Sequence, residues 1–537
     1  MSERAAAESR DIDVVVVGAG FAGLYALYKL RELGLSAVLF EAGSDVGGVW
    51  YWNRYPGARC DVESMQYSYS FSRALEQEWE WTERFAPQPE ILAYISHVAD
   101  RFDLRRDIRF ETRVISARYD EGPTRWEVVT DRGDVVRCQF CIMATGSLSA
   151  ARVPDLPGLE TFAGRTFHTG HWPHEKVDFT GDHVALIGTG SSGIQALPEI
   201  AHEAAHVTVF QRTPNFIVPA RNRKLDDKTV RYWKDNYPEH RARARHVGTF
   251  YEFNDKGAMA VEEAERQREY DRRWQEGGVN FVHAFNDIYL DQAANDTAAE
   301  FVRARIRELV RDPAVAEKLS PRDHPLGSKR ICVASEYYEA YNRANVTLVS
   351  IRDEKIEAIT PQGVRTKRAE YRADALVLAT GYDALTGALL RIDLRGRGGV
   401  TIQKKWAAGP RNYLGLMTEG FPNMFVVTGP GSPSVLVNMI IGIEQHVDWI
   451  ADCIAYVKRH AKQAIEPTPE AEEFWVRHVN EEADKTLFPK AASWYMGANI
   501  PGKPRVFLPY VGGIGRYRMK CDEVAAAGYD GFAFAAG

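Results

Sequence analysis

The sequence predicts an α/β fold in which two similar units of parallel sheet are interleaved along the chain. An apolar strand, a glycine-rich turn, a helix and a second strand occur in this order twice, in residues 13–41 and in residues 183–213. Two further strands, at residues 142–147 and 376–382, each end in Ala-Thr-Gly. This repeated order is typical of Rossmann-like dinucleotide-binding domains, so we expect two of them.

The first copy has the glycine spacing of a dinucleotide-binding turn. Gly18 permits the tight turn, Gly20 lets the backbone approach a pyrophosphate, and Gly23 allows close packing of helix on strand. The N–H groups at the start of the helix then face the phosphates. The second strand ends in Glu41, 23 residues after Gly18, where a carboxylate accepts hydrogen bonds from ribose hydroxyls. We predict FAD at this site.

The second copy differs where its second strand ends. Its turn carries Gly188, Gly190 and Gly193, but Arg212 and Thr213 stand in place of the acid. A guanidinium and a hydroxyl attract a 2′-phosphate that a carboxylate would repel. The alternative for Arg212 is a solvated arginine at a strand end, and the upstream glycines argue against it. We therefore predict NADPH, in preference to NADH, at this second site.

The two Ala-Thr-Gly strands indicate that each domain is split in sequence, because each strand closes one unit before the chain passes to the other. The charged helical pattern after residue 222 indicates a solvated helix face, with a role in covering the active site as the alternative. We expect an FAD-binding domain from residues 1–147 and 381–537, an NADPH-binding domain from residues 148–222 and 331–380, and a helical insertion at residues 223–330.

Composition and charge exclude several classes of protein. The 537 residues are 45% hydrophobic and 26% charged, as in soluble globular proteins. With 67 basic and 73 acidic residues the net charge is −6, so we expect no nucleic-acid binding. The longest apolar stretch near the C-terminal side, residues 435–443, is interrupted by Asn438 and is too short to span a bilayer. The charged segment 1–13 is expected to be a disordered lead-in and not a secretory signal, so we expect a cytoplasmic protein without membrane association.

The six scattered cysteines are typical of a reducing compartment. Cys138 and Cys141 form a CxxC within a strand, and their side chains are expected to point to opposite faces of the sheet. We predict buried structural thiols here, in preference to a redox pair or half a zinc site, and no metal site in the protein. Cys60 is the single cysteine in the segment after Glu41, where a flavin-linked disulfide would stand. Molecular oxygen is therefore the expected electron acceptor.

Two long motifs resemble signatures of the type I Baeyer–Villiger monooxygenases. Residues 162–173, FAGRTFHTGHWP, match the family's FxGxxxHxxxWP fingerprint, and residues 48–61, GVWYWNRYPGARCD, match its second signature. The resemblance covers nearly the whole chain and is nearest to the phenylacetone and steroid monooxygenase branch. The positions that it marks are Phe162, Gly164, His168, Trp172 and Pro173 in the fingerprint, and Gly48, Trp50, Tyr55 and Asp61 among the expected FAD contacts.

The resemblance implies a reaction. NADPH reduces FAD, O2 forms a C4a-peroxyflavin, and this attacks a hydrophobic aryl or cyclic ketone to give an ester or lactone, without an obligatory protein partner. A flavin-dependent N-hydroxylating or sulfoxidising monooxygenase is the first alternative. A disulfide or carrier reductase and a non-enzymatic nucleotide-binding protein are the others.

The resemblance also implies roles for individual residues. Arg330 stabilises the peroxyflavin anion, and Asp61 orients Arg330 by opposite charge. Lys329 joins Arg212 and Thr213 at the 2′-phosphate, and Trp494 covers the bound nicotinamide nucleotide. His168 and Trp172 are expected to have a structural or relay role. The residues expected to line the ketone site are Ser434, Val435, Leu436 and Met439.

Overall fold

The computed structural model describes residues 10–536. In that part of the chain the strands are β1 (Arg10–Val17), β2 (Ala37–Phe40), β3 (Ile108–Arg109), β4 (Val114–Asp120), β5 (Arg125–Thr130), β6 (Val135–Met143), β7 (Arg165–His168), β8 (His183–Ile187), β9 (His206–Gln211), β10 (Ile217–Pro219), β11 (Cys332–Ala334), β12 (Val346–Ser350), β13 (Ile356–Thr360), β14 (Gly363–Thr366), β15 (Glu370–Arg372), β16 (Ala375–Leu378), β17 (Asp393–Arg395), β18 (Met424–Val426), β19 (Lys462–Pro467) and β20 (Phe532–Ala536).

The helices of the same part of the chain are α1 (Phe21–Glu32), α2 (Val49–Trp52), α3 (Arg73–Glu78), α4 (Gln88–Arg101), α5 (Ser191–Glu203), α6 (Asp227–Val247), α7 (Glu263–Glu276), α8 (Gln292–Leu309), α9 (Pro313–Leu319), α10 (Tyr337–Ala340), α11 (Gly387–Leu390), α12 (Ile402–Lys405), α13 (Met439–Arg459), α14 (Pro469–Asp484) and α15 (Ile514–Ala526).

Two sheets organise the molecule. The first has the order β17-β4-β5-β6-β1-β2-β3, with β18 added on β6, and its β3-β2-β1-β6 part is parallel. The second is parallel throughout and has the order β12-β9-β8-β16-β7. The predicted fold class, α/β with two Rossmann-like units interleaved in sequence, is confirmed. The chain enters the second sheet after β6 and returns to the first after β16.

The central strands are continuous apolar runs, so successive side chains point to opposite faces of the sheet and are buried on both. Val14 and Val16 of β1 pack against α1, α4 and α13, while Val15 and Val17 pack under β4 to β6 on the opposite face. Strand β8 repeats this pattern, with Val184 and Leu186 on the face covered by α5. Each sheet therefore has a hydrophobic core on both of its faces.

Helices α6 to α9 lie between β10 and β11 in the chain. These two short strands pair in parallel, so the two ends of the helical segment are held side by side next to the second sheet. Buried Tyr270, Phe281 and Phe301 form the centre of the helical segment. No helix of residues 10–536 is long and apolar enough to cross a membrane.

Two local expectations are wrong. Residues 10–13, predicted to be part of a disordered lead-in, already belong to β1, while residues 1–9 lie outside the described chain. The Cys138 and Cys141 side chains do not point to opposite faces: their sulfurs are 3.5 Å apart in one core, with both thiols free. Strand β6 pairs with β5 up to Cys138 and with β18 from Cys141, and this change of partner interrupts the regular alternation.

Candidate active site

The first glycine turn leaves bare backbone at the start of α1. Gly18 has a φ of +105°, and a Cβ on it would lie 2.6 Å from the carbonyl oxygen of Ala144. A Cβ on Gly23 would lie 1.9 Å from the carbonyl oxygen of Gly18, so a side chain there would push α1 away from β1. Gly20 caps α1 and faces the backbone of Gly48. This surface without side chains fits the pyrophosphate of FAD.

Glu41 is buried behind this turn at the end of β2. Its Oε2 accepts a hydrogen bond from the N–H of Ala19 at 2.7 Å, and its Oε1 accepts one from Gly43 at 2.7 Å. Burial raises the pKa of the Glu41 carboxyl, and these backbone bonds oppose the rise. Each carboxylate oxygen has a second lone pair, so Glu41 can brace the turn and also accept from a ribose hydroxyl.

The second signature lies against the helix of the other unit. Trp50, in α2, donates from Nε1 to the Tyr67 hydroxyl at 3.2 Å. The Tyr55 hydroxyl donates to Oε1 of Gln195 in α5 at 2.8 Å. A Cβ on Gly57 would lie 2.4 Å from the carbonyl oxygen of Gln195. This segment therefore contacts the first glycine turn through Gly48 and helix α5 of the second unit through Tyr55 and Gly57.

The second glycine turn repeats the construction of the first at the start of α5. Gly188 has a φ of +114°, and a Cβ on it would lie 2.3 Å from the carbonyl oxygen of Ala379. A Cβ on Gly193 would lie 2.1 Å from the carbonyl oxygen of Gly188. Gly190 caps α5 and faces open space. The turn thus fits the pyrophosphate of a second dinucleotide.

Three cations gather beyond the end of β9. The Thr213 hydroxyl accepts a hydrogen bond from Nη2 of Arg352 at 3.1 Å, and Arg352 also pairs with Asp323. Burial lowers the pKa of Arg212, and the charges of Arg152 and Arg352 lower it further. Burial also lowers the pKa of Lys329; the Asp323 charge opposes this decrease, and the Arg212 and Arg352 charges add to it. Cations that raise each other's energy in this way fit a doubly charged anion such as a 2′-phosphate.

Arg352 did not stand out in the sequence. It lies two residues beyond β12, which pairs in parallel with β9. The carboxyl ends of adjacent parallel strands meet at one edge of a sheet, and ligands bind at that edge. The sequence signal for Arg352 was therefore its position as a basic residue just after β12.

Arg330 lies where the second signature meets the loop after β18. Its Nε and Nη2 donate to the two carboxylate oxygens of Asp61 at 2.7 and 2.8 Å, and its Nη1 donates to the carbonyl oxygen of Val435 at 2.9 Å. Burial opposes the charge, but Asp61 outweighs burial and the Tyr495 hydroxyl assists, so the pKa of Arg330 is raised well above its usual value. The site therefore contains a permanently charged, rigidly aimed guanidinium.

His168 of the fingerprint contacts two segments that lead away from the Ala-Thr-Gly strands, at Arg152 and at Thr380. Its Nδ1 accepts a hydrogen bond from the N–H of Gly170 at 2.9 Å, so the ring proton is on Nε2. That nitrogen lies 3.1 Å from the carbonyl oxygen of Arg152 and 3.3 Å from the Thr380 hydroxyl. Burial lowers the pKa of His168, which keeps the ring neutral. This geometry supports a structural role.

Of the remaining fingerprint positions, Trp172 contacts the first unit, while Phe162 and Gly164 pack within the second. The Trp172 ring is buried against Phe167, with ring centroids 5.1 Å apart. The backbone N–H of Trp172 donates to the carbonyl oxygen of Trp52 in α2 at 3.4 Å. A Cβ on Gly164 would lie 2.3 Å from the carbonyl oxygen of Asp374. The remaining two positions flank these residues: Phe162 packs under the second sheet, and Pro173 follows Trp172.

Three of the four predicted ketone-site residues share one apolar cluster with Trp494, while the Ser434 hydroxyl donates to the carbonyl oxygen of Thr428 at 3.2 Å. We call this set the ketone cluster. Its principal members are Val435, Leu436, Met439, Trp494, Tyr495, Phe488, Phe507 and Tyr289.

Four principal members of the ketone cluster were missed by sequence reasoning: Tyr495, Tyr289, Phe488 and Phe507. Tyr495 follows Trp494, and their ring centroids are 4.2 Å apart, so the neighbouring position was a usable signal. Tyr289 comes from the helical insertion and stacks on Phe488 at 5.3 Å. Nothing local in the sequence distinguishes Tyr289, because its place depends on how the insertion packs.

Comparisons with known proteins find relatives of this chain over nearly its full length. A family model described as flavin-binding monooxygenase-like matches residues 11–229. A Baeyer–Villiger monooxygenase of Pseudooceanicola batsensis is 44% identical over 97% of this chain and 95% of its own length. A phenazine N-monooxygenase of Lysobacter antibioticus is 42% identical over 97% of this chain and 96% of its own. The solved structure of an oxidised steroid monooxygenase bound to NADP is 54% identical, with a TM-score of 0.94 over 98% of this chain and 100% of that one.

The two glycine turns, the pairing of Arg330 with Asp61 and these matches define a flavin-binding monooxygenase. Within that class, the chain belongs to the type I Baeyer–Villiger monooxygenase family, as its relatives over nearly the full length show.

Proposed function

We propose that the protein is an FAD-containing, NADPH-dependent monooxygenase that converts a hydrophobic aryl or cyclic ketone into an ester or lactone. One oxygen atom of O2 enters the bond between the carbonyl carbon and its neighbour, and the other leaves as water with the electrons of NADPH. The observation that carries this proposal is the Arg330 guanidinium, held by Asp61 on one side and by the Val435 carbonyl of the ketone cluster on another.

The two cofactor sites follow from the turns. Residues around Gly18, Gly23 and Glu41 would hold FAD, and those around Gly188 with Arg212, Thr213 and Lys329 would hold NADPH. The chemistry supplied by the bound pair is hydride transfer and activation of O2. In support, the bare turns open at helix starts, and the three cations of the second site include Arg352, to which we assign part of the 2′-phosphate contact.

Arg330 is the residue that would stabilise negative charge on oxygen. A guanidinium with a raised pKa cannot give up its proton, so it favours an anionic oxygen and does not quench it. Asp61 fixes the plane of the guanidinium through two parallel hydrogen bonds and leaves an N–H of Nη1 or Nη2 for the reacting oxygen. Arg330 is half-buried beside the ketone cluster, so a substrate bound there would displace water and strengthen this interaction.

The ketone cluster supports an apolar substrate. Val435, whose carbonyl oxygen accepts from the Arg330 guanidinium, has a buried side chain. The side chains beside it in the cluster are half-buried: Leu436, Met439 and Trp494. A flat or cyclic ketone would present its carbonyl to Arg330 and its hydrocarbon part to these side chains.

We assign the chain to an FAD-binding domain (residues 1–147 and 381–537), an NADPH-binding domain (148–222 and 331–380) and a helical insertion (223–330). In support, strands β7, β8, β9, β12 and β16 form one parallel sheet, and helices α6 to α9 lie within the insertion. We also infer that the protein works in the cytoplasm without an obligatory protein partner. In support, its six cysteines are buried free thiols.

Gly23→Ala is expected to lower FAD affinity by about tenfold or more, because a Cβ 1.9 Å from the Gly18 carbonyl oxygen must displace α1. The measurement is flavin absorbance per folded protein, with folding followed by circular dichroism. Gly122→Ala is the control, since the nearest atom to its Cβ would be a side-chain oxygen of Asp120 at 3.4 Å. Equal flavin content in the two variants would contradict the assigned turn.

A panel of aryl, cyclic and linear ketones, with products identified by mass spectrometry, tests the function. We expect flavin-loaded protein to oxidise NADPH and to add one oxygen atom to an aryl or cyclic ketone. The panel should include an aromatic N-heterocycle, because one relative is a phenazine N-monooxygenase. An N-oxide as the sole oxygenated product, with no ester from any ketone, would refute the proposal.

A further inference from the structure

The loop that contacts Arg330 contains strained backbone. Thr428 has a φ of +53°, Ser434 a φ of +42°, and Leu414, in the neighbouring loop, a φ of +57°. This left-handed conformation is uncommon for residues other than glycine, and for a β-branched threonine it is an outlier. Such strain persists where surrounding contacts hold the backbone, and it concentrates at functional sites.

Thr428 and Leu414 are connected to one buried histidine, His446, by a short series of hydrogen bonds. The Nδ1 of His446, in α13, accepts from the N–H of Thr428 at 2.9 Å, and its Nε2 lies 2.9 Å from the Tyr517 hydroxyl. The Tyr517 hydroxyl donates to the carbonyl oxygen of Leu414 at 2.6 Å. Since Nδ1 accepts, Nε2 carries the ring proton and donates to Tyr517. The two ring nitrogens of His446 and the Tyr517 hydroxyl therefore all have hydrogen-bond partners.

The ring of His446 stays neutral, as this bonding pattern requires. The residue is 1% exposed, and burial, with a smaller contribution from Arg518, lowers the pKa of His446 to about 3. The ring is therefore uncharged over the neutral pH range, and the Thr428 N–H fixes its tautomer.

From Thr428 the connection continues to the reactive arginine. The carbonyl oxygen of Thr428 accepts from the Ser434 hydroxyl at 3.2 Å, and the carbonyl oxygen of the next residue, Val435, accepts from Nη1 of Arg330 at 2.9 Å. Residues 428–435 therefore bridge His446 and the guanidinium. A shift of Thr428 toward an unstrained conformation would move the Val435 carbonyl away from Arg330.

We propose that His446 is a positioning residue for oxygen insertion: with Tyr517, it holds Thr428 in the left-handed conformation and so keeps the Val435 carbonyl against Arg330. This role rests on the proposed function, since it acts on the residue assigned to the anionic oxygen. It predicts a defect specific to the oxygenation half of the reaction, while hydride transfer from NADPH is retained.

Tyr517→Phe is the mildest test, because it removes one hydroxyl at nearly constant volume. We expect the ratio of ester formed to NADPH oxidised to fall by about tenfold at saturating ketone, with hydrogen peroxide replacing the lost ester. The rate of flavin reduction by saturating NADPH should stay within about twofold of the wild type. Both quantities are measured on flavin-loaded protein, by product analysis and by stopped-flow absorbance.

Two substitutions at His446 separate positioning from packing. Gln presents one acceptor and one donor in place of the two ring nitrogens, so His446→Gln should recover part of the coupling that His446→Leu loses. Tyr270→Phe is the matched control, because it removes a buried tyrosine hydroxyl that contacts Thr297 inside the helical insertion. It should leave the ester-to-NADPH ratio unchanged.

The outcomes distinguish this proposal from the function on which it rests. Wild-type protein that makes no ester from any ketone would refute the proposed function. Ester from the wild type, together with unchanged coupling in folded Tyr517→Phe and in His446→Leu, would overturn the role of His446 alone. A fall in thermal stability with unchanged coupling per bound flavin would likewise overturn it.

Discussion

Arg330→Ala is expected to lower the rate of ester formation by about a thousandfold while NADPH still reduces the flavin. The alanine removes the charge that Asp61 and the Val435 carbonyl hold in place, so nothing of equal strength stabilises the anionic oxygen. The oxygen consumed should then appear as hydrogen peroxide. Stopped-flow absorbance measures reduction of the flavin, and product analysis measures the ester.

Arg330→Lys is the matched comparison for this prediction. Lysine keeps a positive charge but cannot form the two parallel hydrogen bonds that Asp61 accepts from the guanidinium. We expect ester formation between that of the wild type and that of Arg330→Ala. Ester formation by Arg330→Ala near the wild-type rate would show that another group stabilises the oxygen.

Arg212→Ala is expected to raise the KM for NADPH by about a hundredfold and the KM for NADH by less than about twofold. The 2′-phosphate distinguishes the two nucleotides, and Arg212 lies with Lys329 and Arg352 where a phosphate would meet them. Initial rates of NADPH and NADH oxidation, together with NADP⁺ affinity from quenching of protein fluorescence, provide the measurement.

Arg352→Ala tests the cation that the sequence did not reveal. We expect a smaller rise in the KM for NADPH, about tenfold, because Asp323 already shares its charge. Arg372→Ala is the control: this exposed arginine in β15 pairs with Asp374 at 3.2 Å. A rise of the same size for NADH as for NADPH would rule out recognition of the 2′-phosphate by Arg352.

Much of the fold was predictable because its signals are local. The apolar runs that become β1 and β8 are buried on both faces of their sheets, and the glycines that follow them are required by close backbone contacts. The family fingerprint was likewise visible as a continuous segment. These features depend on residues a few positions apart, which a sequence displays directly.

Other expectations failed or could not be formed because they depend on partners far along the chain. The faces of Cys138 and Cys141 were wrong because β6 exchanges β5 for β18, a strand that lies nearly 300 residues later. Tyr289 reaches the ketone cluster only through the packing of the insertion, and His446 meets Thr428 only because α13 runs beneath that loop.

The sequence by itself therefore determined the class of the protein: two dinucleotide turns, an acid at one and a cation at the other, and the two family signatures between them. Only the tertiary structure decided how Arg330 is aimed. Asp61 and Val435 lie 269 and 105 residues from Arg330 along the chain, and the guanidinium is fixed by hydrogen bonds to both. Such bonds exist only once folding has closed the loops between them, and no local pattern records their geometry.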